Sequence, residues 1–303
     1  MLMQSLKSRL YYFAIKRKLA QLRKLNLPLP QARALGDQNS ARMFKMPHGV
    51  LTEPASMAGL QGEWLRPAAK RTQGLLLYLH GGAYVQGSVK TSRAMAARLA
   101  RACETATFIV DYRLAPEHPF PAALDDAMAV YGAMQKAHPG RPIAIAGDSA
   151  GGGLTMATAL RIRDEGLAAP AALALLSPWT DLTLGNATHK TRAAVDPFFP
   201  DGSGLSLAAK AYAWGRDLKT ALISPQFADL SHLPPTLIHA GDLEALLDDA
   251  RLLAQGMLAQ GSQAELKVYP GMWHVWQAFG GRFREADQSL AELGAFLKTR
   301  LEQ

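Results

Sequence analysis

The sequence contains a single cysteine, Cys103, among its 303 residues. One thiol excludes an intrachain disulfide framework, so nothing calls for an oxidising compartment and a cytoplasmic location is expected. No apolar run reaches the roughly 18 residues a membrane span requires. The opening MLMQSLKSRLYYFAIKRKLA also lacks a signal-peptide core, because its short LYYFAI patch is flanked by basic residues on both sides. A soluble chain without integral membrane contact is therefore expected. H-E-x-x-H, a Walker-type phosphate loop and a dinucleotide fingerprint are all missing, and the histidines do not cluster with carboxylates at ligand spacing. Neither a metal nor a cofactor is expected.

Acidic residues are missing from the start of the chain. Lys7, Arg9, Lys16, Arg17, Lys18, Arg23 and Lys24 all precede the first carboxylate, Asp37, and carry much of the net charge of +8. One reading is attraction to an anionic membrane or to nucleic acid. The other is a solvated helix face, with Leu6, Leu10, Phe13 and Arg17 at helical spacing and the apolar residues turned one way. The periodicity favours the second, and no nucleic-acid partner is expected.

What the chain does have is a foldable core composition, 49% hydrophobic. Short runs that are apolar on both faces recur at 75–79, 106–111, 143–147, 173–177, 236–241 and 265–269 and predict buried parallel strands. Helical patterns at 91–103, 122–137, 151–165, 246–260 and 283–301 lie between them, which predicts an α/β doubly wound sheet. Segments near 47–52 and 62–66 are candidates for antiparallel edge strands. Residues 1–45, helical and basic, and 181–222, rich in turn residues, break the rhythm and predict a cap over the ends of the strands. The expected division is 1–45 cap helices, 46–180 core, 181–222 cap insertion and 223–303 core.

The stretch IAIAGDSAGGGLTMATA, residues 143–159, places Ser149 in a G-x-S-x-G pattern where a strand gives way to a helix. Such an elbow strains the serine and exposes its hydroxyl at a helix N-terminus. Alone, the pattern is compatible with an ordinary Gly/Ser turn. It gains weight from LYLHGGAYVQGS, where Gly81, Gly82 and Ala83 follow a strand and offer backbone N–H groups that, with that of Ala150, can form an oxyanion hole.

A serine nucleophile needs a histidine base, itself oriented by a carboxylate, in the chain order Ser, acid, His. His189 falls in the cap insertion, His232 precedes a strand and His239 lies inside one. His274, in YPGMWHVWQ after the last strand, is the expected base. For the acid, Asp242 and Glu244 both sit in the loop after the 236–241 strand, and local chemistry does not choose between them. Asp248 and Asp249 fall on the next helix as N-terminal charges or capping partners.

Taken together, HGGAY at 80–84, DYRLAPEHPFPAALDD at 111–126, GDSAGG at 147–152, SPWTDLT at 177–183 and PGMWHVW at 270–276 resemble the hormone-sensitive-lipase-like esterases, the bacterial family IV branch of the α/β-hydrolases. The resemblance spans about residues 46–280. It implies an α/β-hydrolase fold, a mostly parallel eight-stranded sheet flanked by helices under a helical cap. It also implies cofactor-free hydrolysis of short- to medium-chain carboxylic esters through an acyl-enzyme, with a small-molecule ester as partner and homodimers common among relatives. Laying the family's D-x-L-x-D-E pattern on EALLDD, ten residues after Pro234, places the acid at Glu244, a glutamate where aspartate is commoner. Ala83 stands where many relatives have a third glycine but keeps its backbone donor.

Tyr84, Phe198, Phe199, Tyr212, Trp214, Trp273 and Trp276 are candidates for an apolar pocket wall. Arg113 and Glu117 in YRLAPE are expected to pair and hold the loop below the elbow. Asp148 is expected to anchor a neighbouring loop, and Cys103 to pack as a small apolar side chain. A lactonase, amidase or carbamate hydrolase would use the same residues, and a ligand receptor on this fold is the non-catalytic alternative.

Overall fold

A computed structural model describes residues 4–69 and 72–302. Eight strands form one sheet in the order β1-β2-β4-β3-β5-β6-β7-β8. They are β1 (Val50–Met57), β2 (Leu60–Pro67), β3 (Leu75–Leu79), β4 (Ala106–Val110), β5 (Ile143–Asp148), β6 (Leu173–Leu176), β7 (Thr236–Gly241) and β8 (Ala264–Tyr269). From β4 to β8 in that order every pairing is parallel, while β1 and β2 pair antiparallel. The β1–β2 hairpin is longer than its sequence predicts. Most of β1 faces solvent, which leaves little hydrophobic pattern to mark its ends.

The runs at β3 to β7 are buried on both faces as expected, whereas β8 lies at the sheet edge with Glu265 exposed and only Tyr269 buried, so the 265–269 run is a strand but not a buried one. Successive side chains point to opposite faces of a sheet. Leu75, Leu77 and Leu79 of β3 join a core completed by α4 (Ala122–Ala137), α5 (Ala150–Asp164) and α8 (Leu247–Ala259). Leu76 and Tyr78 join the opposite core, completed by α3 (Val89–Ala102) and α9 (Arg284–Leu301). Fully burying such side chains stabilises the fold by about 1.5–3 kcal/mol each.

At the chain start, α1 (Leu6–Arg23) and α2 (Leu29–Met43) are held by polar contacts to distant segments. Tyr12 donates to the Val195 carbonyl at 2.7 Å and Arg23 to that of Pro197 at 3.0 Å, tying α1 to the insertion. Arg33 of α2 forks onto both Glu117 carboxylate oxygens at 2.8 Å and also donates to the carbonyls of Val85 and Ala115. Glu117 therefore pairs with Arg33 and not with Arg113, whose guanidinium lies 2.7 Å from Asp126. YRLAPE thus uses two separate ion pairs, one bracing the loop onto α4 and one fastening the N-terminal helices.

The apolar face of α1 also differs from expectation. Ile15 is buried, and Tyr11, Tyr12 and Leu19 pack beside it against Trp273, Phe279 and Phe283. Leu6, Leu10 and Phe13 instead face solvent. The sequence shows apolar residues on two opposite sides of this helix, and periodicity alone does not say which side meets the core. The insertion carries α6 (Thr188–Thr191) and α7 (Ser203–Ala213).

Candidate active site

The elbow is built by close backbone approach. Ser149 sits between β5 and α5 with φ 54° and ψ −123°, a conformation that costs a non-glycine residue on the order of 1–3 kcal/mol. Surrounding hydrogen bonds hold it there: Ser149 N–H donates to the Leu176 carbonyl at 2.9 Å, and the Ser149 carbonyl accepts from Trp179 N–H at 2.9 Å. The flanking glycines are sterically required. A Cβ on Gly147 would lie 2.2 Å from the Gly151 carbonyl oxygen, and one on Gly151 would lie 2.1 Å from that of Leu79.

Ser149, His274 and Glu244 converge from three separate loops. His274 Nε2 lies 2.9 Å from Ser149 Oγ, and His274 Nδ1 lies 3.2 Å from Glu244 Oε2. An ionised carboxylate only accepts, so Nδ1 carries the proton and Nε2 is left as an acceptor facing the serine hydroxyl. Burial disfavours the imidazolium of His274. The hydrogen bond to Glu244 and the charges of Glu244, Asp196 and Asp148 outweigh it and raise the imidazole above its ordinary value.

Glu244 is fully buried, and its other oxygen accepts from Ser177 Oγ at 2.7 Å and from Gly241 N–H at 2.5 Å. Asp242, the rival, accepts from Gly271 N–H at 2.6 Å. It braces the loop that carries His274. Asp249 is not a capping partner of α8. It is buried and accepts from the N–H groups of Thr180 and Asp181 at 2.8 and 2.9 Å, with His189 Nε2 2.7 Å away. Asp248 reaches across to the insertion and accepts from Thr188 N–H at 3.1 Å.

The glycine loop meets the elbow through Asp148. One carboxylate oxygen accepts from the Tyr78 hydroxyl at 2.8 Å and from Gly81 N–H at 3.1 Å. Gly81 N–H is therefore engaged and is not one of the free donors. Among the described residues, the N–H groups of Gly82, Ala83 and Ala150 donate to no protein acceptor. Gly82 has φ 130°, and a Cβ there would lie 1.9 Å from the Gln86 carbonyl oxygen. Ala83 also has a positive φ, 54°.

A cavity of about 340 Å³ opens over Gly82, Ala83, Ser149 and His274. Gly81, Gly82, Ala83, Ser149 and His274 form its floor; Ile15, Leu19, Leu22, Met43 and Phe44 of the N-terminal segment wall it, together with Phe198 and Phe199 of the insertion. Phe199 lies edge-on to the imidazole, with ring centroids 4.8 Å apart.

Of the aromatic candidates, only Phe198 and Phe199 line the cavity. Tyr84 and Tyr212 are buried and stack on each other with centroids 3.8 Å apart, Trp273 and Trp276 are buried in the cluster beneath α1, and Trp214 is 65% exposed at the end of α7. Aromatic identity marks large buried surface, and most of that surface here lies in the core. Sequence reading missed the cavity residues contributed by α1 and α2 and the role of Ser177. The SPW motif that contains Ser177 was the available signal. Cys103 is buried, and burial pushes its thiol up to about 12.

A family model described as the alpha/beta hydrolase fold matches residues 76–278. The chain belongs to the α/β-hydrolase family. This hydrolase is 41% identical over 239 residues to an acetyl-hydrolase of Streptomyces hygroscopicus, covering 78% of this chain and 79% of the relative. It is 36% identical over 293 residues to an esterase of Acinetobacter venetianus, with 94% and 95% covered. Its structure superposes with a TM-score of 0.91 on the crystal structure of an esterase from the bacterial hormone-sensitive lipase family, 36% identical, covering 99% of this chain and 100% of the other. The resemblance carried by the five motifs therefore extends over nearly the whole chain. Among the described residues there is no group of three or more His, Cys, Asp or Glu that could hold a metal, and no helix is long and apolar enough to cross a membrane.

Proposed function

We propose that this α/β-hydrolase is a serine carboxylesterase acting on uncharged short- to medium-chain esters. The observation that carries the reading is the Ser149–His274–Glu244 relay, 2.9 and 3.2 Å between successive side chains, on the floor of a largely apolar cavity. His274 Nε2 takes the proton of Ser149 as Oγ attacks the ester carbonyl, and Glu244 stabilises the imidazolium that forms. The tetrahedral oxyanion is met by the free N–H groups of Gly82, Ala83 and Ala150, each such donor typically contributing about 3–4 kcal/mol. His274 then returns the proton to the departing alkoxide, which leaves as the alcohol. Water, deprotonated by the same imidazole, hydrolyses the acyl-enzyme.

The names of the relatives, acetyl-hydrolase and esterase, favour carboxylic esters over amides or carbamates. The cap belongs to the same proposal: the described part of residues 1–45, from residue 4 on, and residues 181–222 close the cavity from above. Cytoplasmic location and a homodimeric state are further parts of it, read by cell fractionation and by sedimentation velocity.

The deciding experiment is p-nitrophenol release from acetate, butyrate, octanoate and palmitate esters by the wild type and Ser149→Ala. Turnover of the shorter esters that falls by about 10³-fold or more in the variant is expected. A folded wild type that turns over none of them, or equal rates in both proteins, sinks the reading.

A further inference from the structure

The two apolar faces of α1 have different fates. The inner face packs on the aromatic cluster and, through Ile15, Leu19 and Leu22, walls the cavity. The outer face presents Leu6, Leu10 and Phe13, which are 73, 63 and 63% exposed. At 3.6 residues per turn these three fall within a sector of about 60°. Arg17 and Lys24 continue the same sector toward the C-terminal end, and Lys7 and Arg9 flank it.

The stripe is held outward. Ser5 N–H and Oγ donate to the Glu285 carboxylate at 2.5 and 2.9 Å at one end of α1, and Arg23 is tied to the Pro197 carbonyl at the other. The helix therefore cannot roll to bury Leu6, Leu10 and Phe13 without giving up Ile15 and these contacts.

Charge narrows the occupant. No carboxylate occurs before Asp37, and Lys7, Arg9, Arg17 and Lys24 are exposed. A second copy of the chain seated on this stripe would set two strongly basic helices against each other. Nucleic acid would satisfy the charges but leave the leucines and the phenylalanine in water. An anionic bilayer surface takes both, with apolar side chains in the boundary between headgroups and acyl chains and lysine and arginine at the headgroups.

We propose that α1 is a membrane-surface anchor that seats this protein on anionic lipid through Leu6, Leu10 and Phe13, with Lys7, Arg9, Arg17 and Lys24 at the headgroups. The helix lies on the bilayer and does not span it. Docking does not depend on what reaction the protein performs. Its consequence is positional: the helix that touches lipid also walls the cavity, so the cavity is brought beside the bilayer.

The test is flotation of the full chain with vesicles of phosphatidylcholine alone or with phosphatidylserine added. The wild type is expected to float with the anionic vesicles, to bind neutral vesicles about tenfold less, and to be released by high salt. Leu6→Gln/Leu10→Gln/Phe13→Gln and Lys7→Gln/Arg9→Gln/Arg17→Gln should each bind about tenfold more weakly while keeping the wild-type circular dichroism spectrum and melting temperature. These readouts do not use ester turnover, so the anchor and the esterase reading fail independently. The proposal is overturned by a wild type that floats with neither vesicle, by equal binding to both, or by a triple variant that binds as the wild type does. It is equally overturned if sedimentation velocity shows a wild-type dimer that the apolar triple variant converts to monomer, because the stripe is then a contact between copies.

Discussion

Ser177 Oγ donates to Glu244 Oε1 at 2.7 Å and at the same time accepts from Val275 N–H at 3.1 Å. One buried hydroxyl thus fixes both Glu244 and the residue that follows His274. A hydrogen bond to a charged group typically contributes about 1.5–3 kcal/mol. Ser177→Ala should lower kcat about 10- to 100-fold on p-nitrophenyl butyrate with little change in KM. An unchanged kcat would show that Gly241 N–H alone orients Glu244.

Glu244 and Asp242 make opposite predictions. Under the proposed mechanism Glu244→Gln removes the charge that stabilises the imidazolium and should lower kcat by about 10²–10⁴-fold. Asp242→Asn keeps an acceptor for Gly271 N–H and should stay within about tenfold of the wild type. The two rate measurements on one ester, with melting curves to confirm folding, separate the proposed catalytic carboxylate from the one that braces a loop.

The acid limb of the pH profile should belong to His274. The proposed mechanism needs its neutral form, so kcat/KM should rise with pH through a midpoint above the ordinary histidine value. Asp196 is fully buried, which pushes its carboxyl up to about 6 despite the nearby His274 and the N–H groups of Ala245 and Phe198. Its charge helps to raise His274, so Asp196→Asn should move the midpoint to lower pH. Both groups bind protons more tightly folded than unfolded, so each makes stability fall as pH rises. For Asp196 the loss runs from the ordinary carboxyl range to about 6, and for His274 from its ordinary value through its raised one. A midpoint unmoved by Asp196→Asn would remove that carboxylate from the electrostatics of the base.

The aromatic side chains divide by position. Phe199→Ala opens the cavity wall and removes the ring packed on His274, and should lower kcat/KM for butyrate about 2- to 10-fold. Activity on the octanoate ester should rise relative to butyrate. Trp214→Ala, at an exposed side chain, should leave both rates within about twofold. An equal loss in the two variants would contradict the cavity described above.

Backbone geometry makes the final contrast. Gly82→Ala drives a methyl group into the Gln86 carbonyl and should destabilise the protein by more than about 3 kcal/mol or prevent folding. Ala83→Gly removes a left-handed alanine at the expense of unfolded-state entropy, and these opposing effects of about 1 kcal/mol should nearly cancel. Melting temperatures of the two variants test both statements.

Much of the fold was legible because the central parallel strands are short runs apolar on both faces and most helices carry one polar side; α5, buried along most of its length, is told from a strand by its length. β3 and β7 fall where their sequence runs place them, and the helical patterns lie within a few residues of α3, α4, α5, α8 and α9. The residues brought together at the site were legible for a different reason. An elbow, a glycine loop and a histidine after the last strand are each marked locally, by the small residues a close backbone approach requires or by position after a strand. Asp242 and Glu244 were not separable by local chemistry. Which carboxylate meets the imidazole depends on how the 242–244 turn is held against Ser177 and the loop of Gly271, and these partners are distant in sequence.

The sequence by itself determined the sheet, the elbow and the chemistry of the groups available to it, because strand burial and glycine sterics are written into neighbouring residues. Only the tertiary structure decided the partners of Arg113 and Glu117, the cavity wall and the orientation of α1. A helix with apolar residues on two sides carries no local instruction about which side turns inward. That choice fell to the aromatic cluster of Trp273, Phe279 and Phe283, which lies more than 200 residues away along the chain and takes Ile15 while leaving Leu6, Leu10 and Phe13 in water.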